Sequence, residues 1–243
     1  MTPGPKTAMV LAAGIGSRMR PLTDIMPKAL VPVAGRPLID HVLDRLRDAG
    51  VERAVVNVHH FADEMEAHLR QRRDLEILIS DERAALLDSG GGIRHAADKL
   101  GREPIFVANI DSLWIEGATP ALETLKAAWN AATMDILLLL VKRGHGIGFE
   151  GPQGFFMDAA GRLTHSTAPE PPTPFANIGF AILKPQVLDD QPAGAFSIVP
   201  VWRRLQREGR LHGAVMDAFW MHVGDPAARE QAEARLRSEA AAS

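Results

Sequence analysis

Along the first 142 residues the apolar positions switch between two periods, and each switch marks an element. Short apolar runs at 8–12, 54–58, 75–79, 105–110 and 136–141 have the length and composition of buried strands. Between them apolar residues recur at helical spacing. Ile39, Val42, Leu43 and Leu46 line one face of a helix predicted over 38–49 and ended by Gly50, and further helices are predicted over 62–72, 93–100 and 120–132. This alternation predicts an α/β fold with a mostly parallel sheet flanked by helices.

After Lys142 the pattern changes. Gly and Pro become frequent, and the pieces 154–157 and 162–165 read as antiparallel strands. Residues of about 143–225 are therefore expected to form a small mixed β subdomain, a lid or substrate part built onto a core of about 1–142. An amphipathic helix is predicted over 227–240, within a terminal segment 226–243. No linker or low-complexity tract divides the 243 residues, so a single domain is expected.

The first strand runs into Ala13-Gly14-Ile15-Gly16-Ser17-Arg18-Met19, and Pro27-Lys28-Ala29-Leu30-Val31-Pro32 follows. Gly14 and Gly16 permit φ > 0 and bring N–H groups against phosphate oxygens, and a helix from Ser17 would aim its positive end at them. Arg18 and Lys28 add full charges, a combination that suits several phosphates at once. A Walker A loop is excluded, because Ser17-Arg18-Met19 stands where Gly-Lys-Ser/Thr is required. A dinucleotide fingerprint is excluded too: Met19 replaces the third glycine, and the next strand ends in His59-His60 rather than an acid.

Composition narrows the partners. With 27 Lys and Arg against 30 Asp and Glu the net charge is −3, so nucleic acid is not an expected partner and any phosphate must meet a local cluster. The longest apolar run, 136–141, is too short to span a bilayer, and 2–6 has no apolar core of a signal peptide. The absence of cysteine removes thiolate chemistry and suits a reducing cytoplasm.

The stretch from Leu11 to Ile39 resembles the signature of the sugar-1-phosphate nucleotidyltransferases. The resemblance continues through Asp88-Ser89-Gly90-Gly91-Gly92-Ile93, Asn109-Ile110-Asp111, Asn177-Ile178-Gly179-Phe180 and Trp220-Met221-His222-Val223-Gly224-Asp225. It implies a Rossmann-like (GT-A-like) fold and a reaction in which a sugar-phosphate oxygen attacks the α-phosphorus of a nucleoside triphosphate and expels pyrophosphate. Within the family, the short length and the triple-glycine loop are most similar to members that use UTP and N-acetylmuramate 1-phosphate in peptidoglycan recycling. Guanylyl- or thymidylyltransfer to mannose or glucose 1-phosphate, and a nucleotide-sensing homologue without turnover, are the alternatives. A monomer or weak homodimer is expected.

The resemblance also assigns residues. Arg18 is expected at the leaving phosphates and Lys28 at the α-phosphate, with Asp111 as carboxylate ligand of Mg2+. Ala12, Ala13, Gly14, Gly16 and, above all, Gly91 are expected around the nucleotide, and Asn109, Asn177, Gly179 and Glu170 around the sugar. His222 stands where relatives carry a second aspartate. Imidazole is a poor magnesium donor, so an intervening water, Asp225, or a softer ion such as Mn2+ are the options there. Because Lys28 and Arg18 are read in a solvent-facing loop, removing either charge is expected to lower turnover and leave the fold intact.

Overall fold

The computed structural model describes residues 4–242, so the predicted ends at 1–3 and 243 lie outside the described residues. The first half comprises β1 (Thr7–Leu11), β2 (Pro32–Val33), β3 (Arg36–Pro37), α1 (Leu38–Asp48), β4 (Arg53–Val58), α2 (Ala62–Leu69), β5 (Glu76–Asp81), α3 (Asp88–His95), α4 (Ala97–Leu100), β6 (Ile105–Asn109), β7 (Ser112–Ile115) and α5 (Ala121–Ala128). The second comprises β8 (Ile136–Lys142), β9 (Gly146–Ile147), β10 (Gly154–Met157), β11 (Leu163–Ser166), β12 (Phe175–Leu183), α6 (Val199–Arg207), β13 (Leu211–Val215), β14 (Phe219–His222) and α7 (Pro226–Ala242).

The principal sheet has the order β13-β8-β12-β6-β1-β4-β5; all its strands share one direction except β12, which is antiparallel to both neighbours. Both faces are covered, which is why β1, β4 and β6 read as continuous apolar runs. Side chains alternate between the faces: Ala8 and Val10 belong to the core cluster that also takes in residues of α1, α2 and α5, while Met9 belongs to the one that takes in Ile93 of α3 and Val201 of α6. The boundary expected near 142 does not divide this sheet. β12 is inserted between β6 and β8, and β13 forms its edge, so the second half completes the core. What stands apart is the β10–β11 hairpin, joined to β12 at Phe155 and Phe175, and the three-stranded sheet β7-β14-β9.

Two local expectations need correction. At Ser17 there is no helix, only single 3-10 turns at Ser17–Met19, Leu22–Asp24 and Lys28–Leu30, because Pro21 and Pro27 interrupt any longer helix. The glycines at 90–92 are not a loop but the middle of α3, despite their poor helix propensity.

At the sheet end away from the phosphate loop, Asp135 ties three strands together. Its Oδ1 accepts from Lys184 Nζ (2.8 Å) and Arg210 Nη2 (2.7 Å), and its Oδ2 accepts from Arg210 Nε (2.9 Å). The Arg210 hydrogen bonds, aided by Lys184, hold its pKa down at about 2. A carboxyl depressed in the folded state stabilises above its unfolded pKa of about 4 and loses that contribution as pH falls through about 2, roughly 2 kcal/mol in all. Urea unfolding of Asp135→Asn is therefore expected to show a loss of that order at pH 7, shrinking toward zero by about pH 2.

Candidate active site

The site forms where β1 and β6 end, at the carboxyl edge of the sheet. The N–H groups of Ala12 and Ala13 both donate to Asn57 Oδ1 of β4, at 2.6 and 3.2 Å. Asn57 Nδ2 in turn donates to Glu82 Oε1 (2.7 Å), and Glu82 Oε2 accepts from the Leu87 N–H (3.2 Å). Asn57 is 3% and Glu82 2% exposed, so loss of any partner would strand a buried polar group. This chain fixes the loop after β1 against the segment leading into α3, and it commits the Ala12 and Ala13 N–H groups to protein. Sequence reasoning missed both residues, although Asn57 is the one polar side chain in the run 54–58.

The triple glycine has a packing explanation. A Cβ on Gly90 would run into the Phe196 ring, one on Gly91 into the Gly194 carbonyl, and one on Gly92 into Glu82 Oε1 and Asn57 Nδ2. The N–H groups of Gly90 and Gly91 also share Phe196 O as acceptor, both at 3.0 Å. Gly91 thus faces the 194–196 segment and does not line the cavity beside Ala12; Asp88, Ser89 and Glu82 do.

In the phosphate loop only Gly16 uses the left-handed region, with φ 68°. The loop closes over Lys28, whose side chain lies directly beneath Gly16. Lys28 is accordingly 8% exposed, not solvent-facing, and its Nζ donates to Asp111 Oδ2 at 2.6 Å. Arg18 remains exposed.

Asp111 sits in the turn between β6 and β7, and His222 ends β14. The antiparallel register pairs Ser112 with His222, and the Val223 N–H donates to Asp111 O, so a ladder brings together residues remote in sequence. His222 Nδ1 lies 4.0 Å from Asp111 Oδ1. Burial opposes ionisation of Asp111, but neighbouring positive charge, led by Lys28, outweighs it and holds the carboxyl below its ordinary value. Burial pushes the His222 imidazole down, helped by Lys28 and Arg18 and opposed by Asp111 and Asp225. A neutral imidazole adds no charge at pH 7, so Lys28 carries the charge that keeps Asp111 ionised.

Two cavities meet at this point. One, about 400 Å³, is lined by Ala12, Ala13, Gly14, Lys28, Asn57 and Glu82 among others. The other, about 660 Å³, is lined by Arg18, Phe149, Glu150, Asn177, Trp220 and His222 among others. Among the described residues their linings share only Asn109 and Asp111. Asn177 and Gly179 lie in the larger one at a bulge in β12, where pairing with β8 shifts between Asn177 and Ala181. Gly179, at φ 83°, has Asn109 where a Cβ would be. Glu170 is exposed and lines neither cavity; the acids in the larger one are Asp111, Glu150 and Asp225.

Among the described residues no group of three or more His, Cys, Asp and Glu side chains has the arrangement to chelate a metal ion. Asp225 Oδ1 accepts from the Ala228 N–H (2.8 Å) and so caps α7, whereas Asp111 is the carboxylate that lines both cavities. One carboxylate with imidazole set back fits a cation that keeps most of its own waters, as magnesium does, better than a chelated transition metal.

A loop carrying Arg18 and Lys28 after the first strand, the Asp111 carboxylate where the sheet ends, and two cavities meeting there are an arrangement that a nucleotidyltransferase would use. Residues 8–196 match the MobA-like NTP transferase domain, and the chain belongs to that family. It is 51% identical to the N-acetylmuramate alpha-1-phosphate uridylyltransferase of Caulobacter vibrioides, the match covering 97% of this chain and 99% of that one. It is 33% identical to the enzyme of the same name from Neisseria meningitidis, over 93% of this chain and 96% of that one. The inositol-1-phosphate CTP transferase of T. maritima has the same fold, with a TM-score of 0.78 and 19% identity over 94% of this chain and 93% of that one. The resemblance read from the motifs and the flanked, mostly parallel sheet are both borne out. No helix among the described residues is long and apolar enough to cross a membrane.

Proposed function

We propose that the protein transfers UMP from UTP to N-acetylmuramate 1-phosphate, forming a UDP-sugar and releasing pyrophosphate, as a step in reusing cell-wall sugar. The observation that carries this reading is the meeting of two cavities at Asn109 and Asp111. The base and sugar are carried by the likeness to the Caulobacter vibrioides enzyme. In this reading UTP occupies the smaller cavity, beside the loop after β1, and the sugar phosphate the larger. An oxygen of the sugar phosphate attacks the α-phosphorus, a P–O bond forms, and the bond to the β-phosphate breaks with its electrons leaving on pyrophosphate.

Both reactants are anions, so the protein acts by cancelling charge and aligning the groups. Lys28 approaches from the nucleotide side and Arg18 from the side of the larger cavity. Asp111 would hold the magnesium ion, which when bound supplies positive charge shared between phosphates. Lys28 would exchange its contact with Asp111 for phosphate oxygen of the nucleotide, while Arg18, on the wall of the larger cavity, would offset the charge of the incoming sugar phosphate rather than meet the departing phosphates as the resemblance implied.

The test is a pyrophosphate assay with UTP, GTP, dTTP and CTP against a panel of sugar 1-phosphates, repeated with magnesium and manganese. The highest kcat/KM is expected for UTP with N-acetylmuramate 1-phosphate in magnesium. Faster turnover of GTP with mannose 1-phosphate would replace the substrates proposed, and no pyrophosphate from any pair would remove the activity.

A further inference from the structure

We propose that Arg143 is a positioning residue for the acceptor: it holds in place the loops that shape the larger cavity, and so governs binding of the sugar 1-phosphate. The inference rests on the reading that this cavity takes that substrate. Arg143 follows directly on β8, and its guanidinium spends its donors on backbone. Nη1 donates to Gly151 O (2.9 Å), Nη2 to Pro152 O (3.1 Å) and Gln153 O (2.8 Å), and Nε to Thr173 O (2.7 Å). The Thr173 hydroxyl accepts from Nη2 at 2.9 Å and from Nε at 3.3 Å.

The contacts join two segments that lie outside the named strands and helices, beside the backbone bond from the Arg143 N–H to Pro174 O (2.9 Å). One, 148–153, carries Gly148, Gly151 and Pro152 and places Phe149, Glu150 and Gln153 in the cavity wall. The other, 173–174, leads into β12, where Asn177 and Gly179 complete that wall. The guanidinium also lies 5.4 Å from the centre of the Phe149 ring, which packs at 5.5 Å on Trp220 and at 6.5 Å on His222. One side chain thus connects both flanks of the acceptor cavity with the side of the reaction centre that His222 provides. No carboxylate among the described residues forms an ion pair with Arg143, so its charge is met by carbonyl dipoles. A planar fork of five N–H donors can reach this set of acceptors; an ammonium with three donors at one point cannot.

Steady-state kinetics separate this role from general support of the fold. For Arg143→Met, KM for the sugar 1-phosphate is expected to rise about tenfold or more, with KM for UTP within about twofold and kcat within about threefold of wild type. Arg143→Lys should restore only part of the difference. An equal rise in both KM values, or no rise in either, overturns the proposal. If Arg143→Met does not fold, Thr173→Val, which removes only the hydroxyl acceptor, must show the same split at smaller size, and its absence is equally decisive. A wild-type protein that turns over no sugar 1-phosphate would instead defeat the reading of function, whereas an active wild type with an unchanged Arg143→Met defeats this inference alone.

Discussion

Asp111→Asn is expected to lower kcat/KM by at least about 10³-fold while the active-site shape is kept, because an amide preserves the outline but lacks the anionic oxygen that a magnesium ion requires. The same change also acts on folding. Lys28 is 8% exposed and Asp111 Oδ2 is its ion-pair partner at 2.6 Å, so neutralising the carboxylate leaves a buried cation unpaired. Removing one member of such a pair costs on the order of 3 kcal/mol, which urea unfolding at pH 7 should detect. Full activity in Asp111→Asn would move the reacting centre away from the junction of the two cavities.

Lys28→Met is the second large effect, with a loss of about 10² to 10³ in kcat, the usual size for deleting a charge aimed at a transferring phosphate. It too should destabilise, now by leaving the Asp111 carboxylate buried without its compensating charge. The expectation that Lys28 lies in a solvent-facing loop, and is removable without harm to the fold, is therefore revised. A double variant, Lys28→Met with Asp111→Asn, is expected to be more stable than either single variant, since neither charge is then left alone. If the three stabilities simply add, the pair is not coupled. Arg18, exposed, remains removable without such a cost.

These two residues also show what the sequence carried. Lys28 and Asp111 were legible because each lies at the end of a local pattern, a Pro-bracketed loop and an apolar strand. Their pairing was not, because it spans 83 positions and depends on a loop folding over the lysine. The same limit applies to His222, whose nearness to Asp111 comes from the register of β7 and β14. In the helices the misreadings have a different origin. Three consecutive glycines argue for a turn on propensity, yet here each yields to a different close neighbour, and packing overrides propensity. Glu170 failed because Pro169, Pro171, Pro172 and Pro174 leave the direction of its loop undetermined from sequence. Asn57 was legible and overlooked: a polar side chain inside an apolar strand requires a buried partner, and Glu82 is that partner.

The narrow boundary between the two cavities has a consequence for inhibitor chemistry. Since among the described residues their linings have just Asn109 and Asp111 in common, then on the proposed assignment of nucleotide and acceptor a single compound joining a uridine portion to a sugar portion through a short anionic bridge would engage both chambers at once. The second half would then bind at an effective concentration in the millimolar range, set by the bridge rather than by the solution. Bridge length becomes the sensitive variable: affinity should peak where the linker just clears the Asp111 side chain, fall steeply if the bridge is shortened, and decline slowly as it is lengthened.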